Sequence, residues 1–348
     1  MGGAAEPAEP QIVGDLSAVI ATTAPVEFYR DPEIFAAERT AIFAKSWQFL
    51  GLESDLARAG DFIAETIAGY PLMAVRDEAG ALKAYHNVCP HRAGPLVGEA
   101  RGRCGREIVC RYHGWRYGFD GRLKAAEHFD DEGGLDLGAY SLFPIRVETW
   151  RGFVFVNVDL EAAPLAETLR PLDARLGRSE SLSARVRDSH TVACNWKVYV
   201  ENCLEGYHLE GVHPGLEADV HAGRHDVRIE GDVAMHDLPH DADGSEGLWA
   251  WVWPNLGLTL NRGVLRIEHM RPIGPDSLQL WHLYLHEPED PRVDAAHHTS
   301  EQMTDEDAWI CERVQQNLDA GVFRSGPLSP SHEGALAWFQ ARVSSRIG

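Results

Sequence analysis

Two short stretches decide the reading of this chain, CPHRAGPL at 89–96 and CRYHGWRYGFDG at 110–121. Each sets a thiol beside an imidazole, Cys89 with His91 and Cys110 with His113. Thiolate and neutral imidazole are the softer protein ligands, so two Cys and two His on paired loops point to a metal. A structural zinc would take all four as a tetrahedral Cys2His2 set. A [2Fe–2S] cluster would instead put both thiolates on one iron and both imidazoles on the other. The spacing favours the cluster. Each loop supplies one ligand of each kind and so reaches both irons, whereas a finger-type zinc site pairs Cys with Cys and His with His. Glycines at 94, 98, 102, 105 and 114 suit tight loops around such a group. Trp115 and Pro95 either shield it or serve as ordinary core and turn residues. Cys104 has no histidine two or three residues on and reads as a bystander.

A second stretch, ENCLEGYHLEGVH at 201–213, carries carboxylates and histidines. On a straight helix His208 and His213 would stand about 140° apart around the axis, poorly placed to share one ion. Gly211, Pro214 and Gly215 offer a way out. Proline disfavours helix at the residue before it, so the helix is expected to end or bend and swing His213 toward His208. Joined by one carboxylate, the pair makes the 2-His-1-carboxylate set of non-haem Fe(II) oxygenases, which leaves positions open for dioxygen. Alone, two histidines are as readily polar core or surface residues. Glu205 precedes His208 by one helical turn, so both can point the same way.

In this order the motifs resemble the two cluster-binding boxes and the iron motif of the Rieske non-haem iron oxygenases, alpha (large) subunit of the ring-hydroxylating type. The likeness includes RGFVFVNVD, NWKVYVENCLEGYH and PLSPSHEGALAWFQ and covers residues 40–348. The 18 residues between His91 and Cys110 slightly exceed the common family spacing, and GEARGRCG (98–105) has room for the excess. The resemblance implies a [2Fe–2S] Rieske cluster on Cys89, His91, Cys110 and His113. It also implies mononuclear Fe(II) on His208, His213 and a third ligand from TDEDAWICERVQQNL (304–318). There the match points to Asp307, with Asp305 and Glu306 as neighbouring alternatives; the other reading of all three is a charged helix start. Glu205 becomes a bridging carboxylate, not a ligand. It would link a cluster histidine of one subunit to an iron-bound histidine of the next. Many relatives carry Asp at that place. Asn202 and Tyr207 would stand beside the metal or in the pocket wall.

The resemblance further implies a helix-grip, START-like catalytic domain, a head-to-tail homotrimer, and a separate reductase or ferredoxin as electron donor. The activity expected is O2- and NAD(P)H-dependent hydroxylation or oxidative demethylation of a small organic substrate. An aromatic compound is the main expectation and a quaternary ammonium compound the alternative. The chain itself has no Gly-rich dinucleotide fingerprint after a strand. Its short length leans toward a monooxygenase without a small β subunit. Rivals from other classes are a protein that only relays electrons and a zinc-stabilised ligand-binding protein.

Texture along the chain predicts an α+β architecture. We expect a disordered tail at 1–20 and an N-terminal helical segment at 21–45 packing on the catalytic domain. A small antiparallel β domain at 46–160 would carry both Cys/His pairs, and a larger domain at 161–348 would hold an antiparallel sheet with packed helices. Helices are expected over 27–46, from near Asn195 through the 201–213 motif, over 300–321 and over 333–345. Within LWAWVWPNLGLTL (248–260), Trp251, Trp253 and Asn255 are candidates for the pocket wall. The two indoles can stack on a ring, cage a methylated ammonium, or simply be core. A net charge of −21 argues against nucleic acid or an anionic membrane as partner. No apolar run reaches membrane-spanning length and no secretory leader is evident, so a cytoplasmic protein is expected. Between Arg92 and Arg122, seven arginines face only Glu99, Glu107 and Asp120. This island would either guide an acidic donor protein or pair with the chain's own carboxylates.

Overall fold

The computed structural model describes residues 21–129, 134–176, 182, 184–213, 227–238, 247–261, 263–287 and 293–348. The tail expected at 1–20, together with Pro214 and Gly215, lies outside the described residues. The chain opens with α1 (Glu27–Arg30) and α2 (Pro32–Ala41) in place of one continuous helix. Asp31 is extended and its carboxylate accepts from the Glu33 N–H at 2.8 Å. An acceptor there with proline next is a strong helix start, which breaks the run at Asp31.

The first sheet holds β1 (Gln48–Leu52), β2 (Asp61–Ile67), β3 (Tyr70–Arg76), β4 (Leu82–His86) and β5 (Arg101–Arg103). A smaller sheet of β6 (Ile108–Val109), β7 (Arg116–Tyr117) and β8 (Leu123–Ala125) carries the second Cys/His loop. The chain then returns to the first sheet through β9 (Pro144–Trp150) and β10 (Phe153–Asn157), giving the antiparallel order β1-β10-β9-β4-β3-β2-β5. The hairpins β2–β3 and β9–β10 turn on Ala68-Gly69 and Arg151-Gly152, both with positive φ at each residue. Two-residue turns of that sign match the twist of paired strands, and glycine removes the strain at the second position.

After α3 (Leu165–Leu169) the second sheet begins with β11 (Ala184–Val192), followed by α4 (Trp196–Leu204) and α5 (Leu209–Val212). It continues through β12 (Arg228–Glu230), β13 (Val233–Leu238), β14 (Gly247–Val252), β15 (Leu256–Asn261), β16 (Val264–Gly274) and β17 (Ser277–His286). The order is β11-β17-β16-β15-β14-β13-β12, antiparallel throughout. Two helices close the chain, α6 (Val293–Asp319) and α7 (Gly334–Ile347).

Both faces of this sheet are covered. On one side Leu256, Ile267, Trp281 and Leu283 pack against Phe49, Phe153 and Phe155 of the first sheet and against Leu165 and Leu169 of α3. On the other, Trp251, Met270 and Leu280 pack against Trp196 and Tyr199 of α4, Cys311 of α6 and Phe339 of α7. Strands buried on both faces read as nearly unbroken apolar runs, as GLWAWV of β14 does, whereas β16 and β17 set Arg266, Glu268, His269, Arg271 and His282 among their apolar residues. The junction between the two sheets is also tied by charge. Arg271 is almost fully buried and its Nη1 meets Glu65 Oε2 at 3.0 Å, while Arg101 reaches the same Glu65 and Asp55. Among the described residues no helix is long and apolar enough to cross a membrane.

Candidate metal centres

The two Cys/His loops share one backbone plan. The Cys89 N–H donates to the Gly94 carbonyl and the Ala93 N–H donates to the Cys89 carbonyl. At the second loop the Cys110 N–H donates to the Trp115 carbonyl and the Gly114 N–H to the Cys110 carbonyl. The residue four places past each cysteine has positive φ, 55° at Ala93 and 73° at Gly114. Each turn therefore closes on its own cysteine and holds it at a loop tip. Cys89 and Cys110 are free, buried thiols. The imidazoles of His91 and His113 lie with ring centroids 4.5 Å apart, and His91 stacks on Trp115 at 4.6 Å with the planes 3° from parallel. Tyr117 places its hydroxyl 3.1 Å from Cys89 Sγ.

The Nδ1 of His91 is buried with no hydrogen-bond partner among the described residues. A buried acceptor without a partner costs free energy, and an iron at that point would satisfy it. The donor set, two thiols and two imidazoles on converging loops, fits a [2Fe–2S] cluster. Burial pushes the Cys110 thiol up, a penalty that a bound metal reverses by fixing the thiolate. Exposed aromatic groups ring the site: Tyr112 lies against His113, and Phe129 and Tyr140 set their edges on Trp115.

The arginine island is largely neutralised within the chain. Arg101 meets Asp55 and Glu65, Arg103 meets Asp61, Arg111 meets Glu99, Arg116 meets Glu107 and Arg122 meets Asp120. Arg92 lies over the Tyr112 ring. Intramolecular pairing thus accounts for most of that cluster, and Arg101 belongs to the junction between the sheets.

The second centre forms where α4 ends. Asn195 caps α4, its side chain accepting from the Lys197 N–H. The helix stops at Leu204 instead of running on through His208, because Glu205 is extended (φ −121°, ψ 148°). The Glu205 carboxylate accepts from the backbone N–H groups of Tyr207 and His208, and its Oε1 lies 2.7 Å from His208 Nδ1. A side chain that takes over backbone donors in this way competes with helix continuation. The expected turn-to-turn stacking of Glu205 and His208 is replaced by a tight loop that brings the same two groups together.

His208 Nε2 and His213 Nε2 both face Asp307 Oδ1, at 3.4 and 3.1 Å. The ligand atoms of these three residues lie within 4.8 Å of one another. Each imidazole is held from behind by a glutamate: His208 Nδ1 by Glu205 and His213 Nδ1 by Glu306, both at 2.7 Å. A carboxylate on the far nitrogen fixes tautomer and ring orientation and leaves Nε2 free for a metal. Asn202 donates from Nδ2 to Asp307 Oδ1 at 2.8 Å. Three convergent groups with supported far sides fit a 2-His-1-carboxylate iron site. Burial alone would lower the His208 pKa, but the Asp307 and Glu205 carboxylates raise it to about 9. Burial likewise opposes ionisation of Asp307, yet the two imidazoles hold it below the usual carboxylate range.

The three acids of the late helix separate cleanly. Asp307 faces both histidines, Glu306 reaches only the far side of His213, and Asp305 is exposed. A charged helix start does not explain them, since α6 begins at Val293 and they lie near its middle. Tyr207 is exposed and stacks on His332. The pocket-wall expectation for Trp251, Trp253 and Asn255 is corrected. Both indoles are buried in an aromatic layer with Phe339, Trp251 also packing on Trp338 of α7, and Asn255 donates to the Met270 carbonyl. Strands covered on both faces bury their large apolar groups, so core wins over cage. The supporting role of Glu306 and the contact of Tyr117 with Cys89 were not legible in the sequence, because neither has a local spacing signal.

Comparison with known proteins finds similarity in both halves of the chain. The Rieske [2Fe-2S] domain family matches residues 46–142, and the ring hydroxylating alpha subunit (catalytic domain) family matches 179–244 and 233–348. The chain is 29% identical over 309 residues to the carnitine monooxygenase oxygenase subunit of Escherichia coli (strain K12), spanning 84% of this chain and 79% of that one. It is 29% identical over 334 residues to the chloroplastic choline monooxygenase of Arabidopsis thaliana, spanning 88% and 78%. The crystal structure of a quaternary ammonium Rieske monooxygenase with L-carnitine superposes with a TM-score of 0.84 at 27% identity, covering 94% of this chain and 96% of that one.

Proposed function

The chain belongs to the Rieske non-haem iron oxygenases, as an alpha subunit of the ring-hydroxylating family, and from that premise we propose that it oxygenates a small quaternary ammonium compound. The observation that carries this reading is the similarity, spanning both domains, to oxygenases of carnitine and choline, whose common feature is a methylated ammonium group. It displaces the aromatic substrate expected from the sequence.

When bound, the [2Fe–2S] cluster passes single electrons and the mononuclear iron activates dioxygen; the protein supplies ligation, orientation and exclusion of water. Cys89, Cys110, His91 and His113 hold the first group, and His208, His213 and Asp307 the second. Asn202 fixes the Asp307 carboxylate, while Glu205 and Glu306 fix the two imidazoles. Glu205 acts as the carboxylate through which the two centres communicate. In a head-to-tail trimer its contact would be with the cluster histidines of the neighbouring subunit; inter-subunit electron transfer is described for a quaternary ammonium Rieske monooxygenase of this fold. A reductase, alone or with a ferredoxin, supplies the electrons from NAD(P)H.

The test is an oxygen-uptake screen of the reconstituted protein with a surrogate reductase. Carnitine, γ-butyrobetaine, glycine betaine and choline stand against naphthalene and indole. Substrate-dependent uptake matched by product from a quaternary ammonium compound is expected. Product from the aromatic compounds alone would overturn the reading.

A further inference from the structure

We propose that a cross-strand row on the helix-facing side of the second sheet, Asp188, His282 and Glu268, conducts protons from a surface groove to the iron end of the interior. The proposal rests on the oxygenase reading above. In the register of β11, β17 and β16, Asp188 lies opposite His282 and His282 opposite Glu268, so the three side chains share one face. His282 is buried. Its Nδ1 lies 2.7 Å from Asp188 Oδ1 and its Nε2 lies 2.9 Å from Glu268 Oε1. At the inner end the Tyr199 hydroxyl donates to Glu268 Oε1 at 3.1 Å. Tyr199 stands on α4, three residues before Asn202, whose amide donates to Asp307 Oδ1 at 2.8 Å.

At the outer end His297 Nε2 lies 2.9 Å from Asp188 Oδ2, and His190 Nε2 lies 3.6 Å from Asp188 Oδ1. His190 and Glu301, which faces His297 at 3.7 Å, line a groove of about 710 Å³ between α5 and α6. The other groups facing His282 are Arg266, with Nη2 at 3.1 Å, and the rings of His190 and Tyr284 at 5.4 and 6.3 Å. Arg266 also donates to Glu268 and to Thr304 of α6.

Elsewhere this face is filled by Trp251, Met270 and Leu280. Replacing such packing by carboxylates and an imidazole is not favoured for stability alone. The reaction supplies a reason for it. A substrate C–H bond, O2, two electrons and two protons give C–OH and water, and a one-electron donor protein brings the electrons without the protons. A proton on Asp188 moves to His282 Nδ1 as the Nε2 proton moves to Glu268 Oε1. One O–H and one N–H bond break, one of each forms, and the ring exchanges tautomers. Return of the ring to its first tautomer readies it for the next proton. Imidazole between two carboxylates suits this task because its two nitrogens trade roles.

The test uses the holoprotein with His282→Gln and, separately, Glu268→Gln, on whichever substrate the unsubstituted enzyme hydroxylates. Turnover is expected to fall about 100-fold. Iron, acid-labile sulfide, the rate of cluster reduction and substrate affinity should be unchanged. The solvent deuterium isotope effect should rise, and oxygen should be diverted to peroxide. Added imidazole should restore part of the rate to His282→Ala. Turnover within about two-fold of the unsubstituted enzyme, or a loss that follows lost iron with an unaltered isotope effect, would overturn the proposal. Failure of the functional reading is separate: the unsubstituted enzyme would then leave quaternary ammonium compounds untouched.

Discussion

The cluster cradle is built from backbone. Two short turns with the same hydrogen-bond pattern and a positive-φ residue four places past the cysteine present one thiol and one imidazole each, all four within 89–113. The candidate iron site is built from side chains on two elements: His208 and His213 flank α5, and Asp307 lies 94 residues beyond His213 on α6. Its order comes from carboxylates and an amide that grip the ligands, not from a repeated loop. A centre of the first kind depends on local chain shape. One of the second kind depends on how an entire domain is packed.

This contrast can be broken or sharpened by substitution. Cys110→Ser should remove the cluster and abolish turnover while leaving the distant site loaded, so that iron falls from about three to about one per chain. Loss of all iron would show that the two centres fold as one. Asp307→Asn should give the mirror image, a full cluster signal by electron paramagnetic resonance with the mononuclear iron and turnover gone. Asp305→Asn, on the exposed side of the same helix, should retain both. Glu306→Gln tests the grip alone. It weakens the hold on His213 Nδ1, and iron affinity measured by chelator competition should drop about 10–100-fold with the cluster unaffected.

The smallest effect concerns α4, whose C-terminal end leads into the candidate iron site. Glu201 is partly buried where Tyr29 and Gln340 donate to it, and desolvation raises its pKa to about 7. A carboxyl with a higher pKa folded than unfolded stabilises the protein at low pH. That contribution is lost as pH rises from the ordinary glutamate range through 7. The thermal midpoint should therefore decline between pH 5 and 8, and Glu201→Gln should flatten the decline. An unchanged slope would remove Glu201 as its source.

The difference between the centres also explains what the sequence could tell. The cradle is legible because its four candidate ligands and their glycines are local, and their spacing favours a cluster over a zinc finger. The histidine pair is legible as a pair, but the halt of α4 at Leu204 is not, because it depends on the Glu205 side chain capturing two backbone donors. Among Asp305, Glu306 and Asp307, composition cannot choose; only the rotation of α6 against α4 turns one toward both histidines, one toward the far side of His213 and one to solvent. Trp251 and Trp253 mislead for a related reason. An apolar strand buried on both faces looks the same in sequence as one that lines a ligand pocket.

The cover that the first sheet gives to the second has a consequence for anyone who recombines these proteins. Phe49, Phe153 and Phe155 are the floor on which Ile267, Trp281 and Leu283 rest. An excised C-terminal half would leave that apolar surface bare to water, and a chimera joining halves of two relatives would inherit mismatched aromatic rings. Grafts that carry the three phenylalanines with the half they serve should stay dispersed in solution.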